Sequence, residues 1–232
     1  MGILLALLVA LSAPAVYAAD SSGRGAGTAA AQSPVILIYG DSISAGYGIR
    51  VEQGWVSLLG QRIAHEGYEF RVVNASVSGE TSTGGLARLP HTLATLRPAI
   101  VILELGANDG LRGLPLAVTR ANLDRMLTLA SADGAQLLLL GLRLPPNYGE
   151  RYTSGFAQLY EQLATQHHVA WVPFLLEGVA LHPELMQDDG LHPNARGQPL
   201  LLDTVWPKLV ALMRAAARPG TEGRSGSAVR HG

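Results

Sequence analysis

VILIYGDSISAGYG, residues 35–48, decides how the rest of the chain is read. Residues 35–39 form a continuous apolar and aromatic run, the pattern of a strand covered on both faces. The run stops abruptly at Gly40-Asp41-Ser42. In a parallel sheet, the residues that follow the carboxyl end of a strand enter the crevice where such sheets bind ligands. Ser42 is therefore a candidate nucleophile, although a serine that opens a helix also serves as an N-cap. The stretch alone leaves both readings open.

Outward from this stretch, short apolar runs alternate with helical spacings. Trp55, Leu58, Leu59 and Ile63 share a helical stripe, and Gly67 is placed to end that helix. Residues 70–73 read as a second strand that delivers Asn74-Ala75-Ser76-Val77-Ser78-Gly79 to a loop. Residues 81–96 read as a helix with Leu86, Leu89, Leu93 and Leu96 on one stripe, stopped by Pro98. A third run, 100–105, ends at Gly106-Ala107-Asn108-Asp109-Gly110. Helices follow over 115–132, 152–167 and 200–217, with Pro207 expected to bend the last, and strands over 137–142 and 169–172. This alternation predicts an α/β fold: a three-layer α/β/α sandwich around a mainly parallel, five-stranded sheet. The loops after the first three strands then lie along one edge of the sheet.

Composition narrows the function. The chain has 232 residues, net charge -1, no cysteine, and Lys208 as its lone lysine. Such a balance offers no basic patch for nucleic acid and no polybasic membrane anchor. Without cysteine there is no disulfide and no thiolate nucleophile. Residues 3–16 are almost wholly apolar, and Val16-Tyr17-Ala18 offers a small-residue cleavage site before Ala19. Residues 1–18 thus read as a secretory signal peptide, though no Lys or Arg precedes the apolar run. Residues 19–33 read as a flexible linker, 34–217 as the folded domain and 218–232 as a disordered tail.

The remaining chemistry lies far along the chain, in Gln187-Asp188-Asp189-Gly190-Leu191-His192-Pro193-Asn194. Asp189 and His192 are three residues apart in a loop with Gly190 and Pro193, so one tight turn can bring the carboxylate to the imidazole. With Ser42 they complete the order Ser, Asp, His. The surroundings of Ser42 are not G-x-S-x-G, which argues against an α/β-hydrolase elbow. Gly106 and Gly110 are followed by no Lys, so no phosphate loop is present there.

GDSISAGYG, NASVSGETSTGGLARL, ELGANDGLRG and DDGLHPN resemble the four blocks of the SGNH (GDSL) hydrolase family, and RLPPNYG at 143–149 extends the match. The match is best to the bacterial periplasmic group of that family that acts on thioesters, lysophospholipids and aryl esters. The resemblance implies a flavodoxin-like SGNH hydrolase fold and a catalytic set of Ser42 as nucleophile, His192 as general base and Asp189 as the residue that orients it. It implies an oxyanion hole of the Ser42 N–H, the Gly79 N–H and the Asn108 side-chain amide. Missing Cβ at Gly79 suits close backbone approach. It further implies an acyl-chain wall from Leu111 and Leu114, with Leu144, Pro145 and Pro146 opposite. The chemistry implied is hydrolysis of acyl esters and thioesters through an acyl-enzyme.

Other readings use the same residues. An acyltransferase would shield the acyl-enzyme from water in favour of an alcohol, and a non-catalytic binding protein would keep the pocket without the chemistry. Asp41 is expected to hold the Ser42 turn, and Asp188 to be a solvated or capping neighbour. Neither H-x-H nor H-E-x-x-H occurs, so no metal site is expected, nor any cofactor. Glu104, inside an apolar strand, is expected to bond to backbone or to an arginine. The expected partner is a small acyl substrate, for a monomeric, periplasmic or secreted protein with no nucleic acid and no stable membrane insertion.

Overall fold

A computed structural model describes residues 33–216. The expected signal peptide, the expected linker up to residue 32 and the expected tail lie outside the described residues.

Five strands form one sheet: β1 (Val35–Gly40), β2 (Arg71–Asn74), β3 (Ile100–Glu104), β4 (Gln136–Leu140) and β5 (Ala170–Val172). Their order is β2-β1-β3-β4-β5, and every pairing is parallel. The order explains the sequence pattern. β1 and β3 are buried at every residue and β4 at all but its first, as strands covered on both faces must be. β2, on the edge, exposes Arg71 and Asn74.

Helix α2 (Trp55–His65) packs with α7 (Gln198–Ala216), while α3 (Ser82–Leu96), α5 (Leu116–Ala132) and α6 (Glu150–His167) pack side by side. β4 touches α7 as well as α5 and α6, which is the contact of a middle layer between two helical ones. The helices turn apolar stripes inward: Trp55, Leu59 and Ile63 from α2, Leu123, Met126, Leu127 and Ala130 from α5, Leu201, Val205, Leu209 and Met213 from α7. Each fully buried Leu, Ile or Met contributes about 1.5–3 kcal/mol relative to an exposed one.

Two single-turn helices, α1 (Ser42–Ala45) and α4 (Ala107–Leu111), occupy stretches read from sequence as loops. They are too short to show a 3.6-residue period. They also mark the functional edge. The chain leaves β1 for β2 on one side and later returns to β3 on the other, so α1 and α4 border the crevice at the switch point.

Candidate active site

The site is built from three strand ends and one late loop. β1 ends at Gly40, and Asp41 caps α1, its Oδ1 accepting from the Ile43 N–H at 3.1 Å. Ser42 is the first residue of α1, where backbone N–H groups have no intrahelical acceptor. The Ile43 N–H is taken by Asp41, which leaves the Ser42 N–H as a free donor beside its own hydroxyl. The Val77 N–H donates to Gly40 O at 3.0 Å and Asn74 Nδ2 to Ser44 O at 2.8 Å, which ties the loop after β2 to α1.

Asp189 and His192 come from the turn before α7. Met186 and Pro193 form an antiparallel bridge, and the Gln187 N–H donates to His192 O at 2.8 Å. Gly190 closes this turn at φ +65°, a conformation costly for other residues. Asp189 Oδ1 accepts from the Leu191 and His192 N–H groups at 2.9 and 3.0 Å. Its Oδ2 is thereby aimed at His192 Nδ1, 2.6 Å away, and His192 Nε2 lies 2.8 Å from Ser42 Oγ. Burial raises the pKa of the Asp189 carboxyl, but the hydrogen bonds from the His192 backbone and ring and from the Leu191 N–H outweigh it and hold the pKa below the ordinary value. An ionised Asp189 fixes the ring proton on Nδ1 and leaves Nε2 to accept from the serine hydroxyl.

These residues open on a pocket of about 260 Å³. Ser42, Gly79, Asn108, Leu111, Leu144, Pro145 and His192 all line it. Leu114 and Pro146 do not. Leu114 is half-buried behind the loop, where its N–H donates to Asp109 O and its carbonyl accepts from Tyr152 Oη at 2.7 Å. The expectation that Leu114 shares the pocket wall with Leu111 is thus corrected: Leu111 lines the pocket, and Leu114, whose backbone is held by Asp109 and Tyr152, does not.

The donors expected for an oxyanion hole differ in readiness. Gly79 is exposed, and its N–H has no backbone partner among the described residues. It sits at φ +79°, yet an added Cβ would meet nothing within 4 Å. Positive φ, rather than lack of room in the free protein, is what this position requires of glycine. Asn108 Nδ2 donates to Glu80 O at 3.0 Å and to Asp41 Oδ2 at 3.2 Å, so both amide hydrogens have acceptors in the free protein.

Sequence reading missed several supports. Tyr47 stands with its ring centroid 4.7 Å from that of His192, and Gln187 Nε2 donates to Tyr47 O at 2.8 Å and to Pro193 O at 3.1 Å. Gln187 thus bridges the stretch after Ser42 and the loop that carries His192. Its position in the quoted DDGLHPN neighbourhood was the available signal; its partner across the site was not. Arg112 Nη2 donates to Gly79 O at 3.2 Å, joining the loop after α4 to the Gly79 turn. Asp109, fully buried, accepts from the Ser82 N–H and Oγ at 2.7 and 2.6 Å and anchors the start of α3. Glu104 does find backbone, the Asp41 N–H at 3.3 Å, and also Ser44 Oγ at 2.7 Å; among the described residues no arginine pairs with it. Asp188 is exposed, and His167 and His182 pair with Asp124 and Glu184 away from the pocket lining.

Comparison with known proteins gives the family. The chain is 53% identical over 186 residues to esterase TesA of Pseudomonas aeruginosa, covering 80% of this chain and 92% of that protein. It is 44% identical over 184 residues to thioesterase 1/protease 1/lysophospholipase L1 of Escherichia coli K12, covering 79% and 87%. Among solved structures, a crystal structure of TesA matches with a TM-score of 0.75 at 54% identity, over 77% of this chain and 99% of that one. The psychrotrophic esterase EstA of Pseudoalteromonas sp., inhibited by monoethylphosphonate, matches with a TM-score of 0.74 at 39% identity, over 78% and 98%. The sequence model of the GDSL-like lipase/acylhydrolase family matches residues 38–200, and the chain belongs to that family.

Proposed function

We propose that the chain is a serine esterase and thioesterase that hydrolyses acyl esters and thioesters through an acyl-enzyme on Ser42. The observation that carries this reading is the continuous relay Ser42 Oγ to His192 Nε2 at 2.8 Å and His192 Nδ1 to Asp189 Oδ2 at 2.6 Å, at the wall of an apolar pocket. Ser42 Oγ attacks the acyl carbonyl while Nε2 takes its proton. The resulting imidazolium is stabilised by Asp189 and protonates the leaving alkoxide or thiolate. Water then repeats the sequence and frees the acid. The Ser42 and Gly79 N–H groups and the Asn108 amide stabilise the oxyanion, which develops mainly in the transition state.

Leu111, Leu142, Leu144, Pro145 and Leu176 give an apolar lining suited to an acyl chain. Aryl esters, acyl-CoA and lysophospholipids are the substrates to which this lining and the named activities of the relatives lead. Residues 1–18 are read as a cleaved export signal, which sends the folded chain to the periplasm or beyond. No helix of the described residues is long and apolar enough to cross a membrane.

The test is a fluorophosphonate label followed by peptide mass analysis. Label on the peptide containing Ser42, with loss of both label and ester hydrolysis in a folded Ser42→Ala variant, is the expected result. Labelling elsewhere, or hydrolysis that survives in Ser42→Ala, would remove Ser42 as nucleophile.

A further inference from the structure

Beneath the nucleophile turn, two carboxyl groups are sealed from solvent. Asp41 and Glu104 are both fully buried: Glu104 ends β3, Asp41 follows β1, and the register of the two strands sets Gly40 opposite Glu104. Contact there is so close that a Cβ on Gly40 would lie 2.5 Å from Glu104 Oε2. Glu104 Oε2 also accepts from the Asp41 N–H at 3.3 Å, so the two buried carboxyl groups are neighbours, and neighbouring carboxylates away from water do not both stay ionised: each loses its hydration and repels the other. Among the described residues, no Lys or Arg makes a salt bridge to either one.

The donors around the pair decide which member is charged. Asp41 accepts from the Ile43 N–H at 3.1 Å and from Asn108 Nδ2 at 3.2 Å, and it feels the nearby His192 ring. Glu104 Oε2 accepts from Ser44 Oγ and the Asp41 N–H, but buried Oε1 meets no donor at all. An oxygen with no donor is where an acid proton belongs, and Asp41 is the neighbouring buried carboxylate. The other ionisable groups facing the pair do not change the balance. Tyr160 Oη donates to Leu105 O, Asp109 is held by Ser82, and His192 is paired with Asp189. Burial pushes Asp41 up to about 6, and burial followed by the Asp41 charge pushes Glu104 well above the carboxylate range.

We propose that Asp41 and Glu104 share one proton, with Glu104 the neutral acid and Asp41 the anion, and that Glu104 is a positioning residue for the Ser42 reaction. It grips the residues on both sides of the serine, the Asp41 N–H before it and the Ser44 hydroxyl after it. The charge kept on Asp41 then turns the Asn108 amide so that its NH₂, not its oxygen, faces the nucleophile turn. This rests on the role proposed for Ser42.

The experiment compares the full-length enzyme with its Glu104→Gln, Glu104→Ala and Asp41→Asn variants. The readouts are kcat and KM on a short aryl ester, fluorophosphonate labelling, and isotope-edited infrared spectra with labelled glutamate at neutral pH. The wild type should show the carbonyl band of a protonated glutamic acid, and Glu104→Gln should lose it. Gln is a neutral isostere with a donor to replace the acid proton, so kcat should stay within about threefold. Glu104→Ala and Asp41→Asn should each lower kcat by roughly ten- to a hundredfold with KM little changed, as misaligned reacting groups do. If Glu104→Ala fails to fold, the band and the Gln and Asn variants still decide. A wild type without the band, a Glu104→Gln variant as impaired as the Ala or Asn variant, or an unimpaired Asp41→Asn overturns the proposal. Failure of Ser42 to label in the wild type overturns the nucleophile reading and the positioning role with it. That failure is told apart because the infrared band does not depend on turnover.

Discussion

Replacing Asn108 with alanine separates a structural amide from an oxyanion donor. The Nδ2 group has two hydrogens, given to Glu80 O at 3.0 Å and to Asp41 Oδ2 at 3.2 Å. The second contact is the longer of the two, and it holds that hydrogen on the Ser42 side of the amide, where an oxyanion can compete for it. Losing an oxyanion donor costs roughly 10²–10³ in kcat, about 2.7–4 kcal/mol, with little change in KM. The same deletion leaves Asp41 Oδ2 and Glu80 O short of a donor, a stability cost of about 1–3 kcal/mol. For a domain of this size that lowers Tm by roughly 2–12 °C. Against a native stability of about 5–15 kcal/mol, about 95% or more of the variant stays folded at room temperature. Partial unfolding therefore removes only a few per cent of activity and cannot imitate a hundredfold loss. The assay is steady-state hydrolysis of a short aryl ester, with a thermal melt of the same sample. A folded Asn108→Ala variant with kcat within about threefold of wild type would refute the role of its amide in the hole.

Leu111→Ala should weaken selection for long acyl chains while short esters react nearly as before, since each lost methylene contact is worth about 0.8 kcal/mol; equal loss on acetyl and long-chain esters would count against it. Leu114→Ala, which does not touch the pocket, should leave the chain-length profile unchanged. The pKa of Asp189 is depressed in the folded state, so its stabilising contribution is present above the ordinary value of about 3.9 and is lost as pH falls through its lowered value. The difference in Tm between wild type and Asp189→Asn should accordingly shrink in acid, and a gap that widens instead contradicts the assignment. Exported protein should begin at Ala19 by intact mass, and retention of residues 1–18 would mean that the segment stays as an anchor.

The sheet was legible because its central strands carry unbroken apolar runs, which only burial on both faces explains. Ser42, Asp189 and His192 were legible as a set because family-like blocks surround each, and the structure brings them within hydrogen-bond reach. What stayed hidden depends on pairing between distant residues. Glu104 stood out as a charge in an apolar strand, but its purpose lies in the β1–β3 register that sets it against Gly40. Leu111 and Leu114 look alike in sequence; only Leu111 lines the pocket, and the tyrosines that hold their carbonyls, Tyr148 and Tyr152, come from well after both. Tyr47 and Gln187 are 140 residues apart and meet only across the finished site.

That last bridge bears on how the chain comes to life during its own synthesis. Ser42 and His192 are separated by 150 residues, and the loop that carries the imidazole docks on the Ser42 side through the bond from Gln187 to Tyr47 O. The sheet strands all precede that loop in the chain, so a nascent molecule can pair its whole sheet while Ser42 has no imidazole beside it; α7, which covers one face of the core, follows the loop. A partly made chain would then carry an inert serine. Reactivity would switch on late, once that surface turn and the α7 helix behind it have both docked on the sheet.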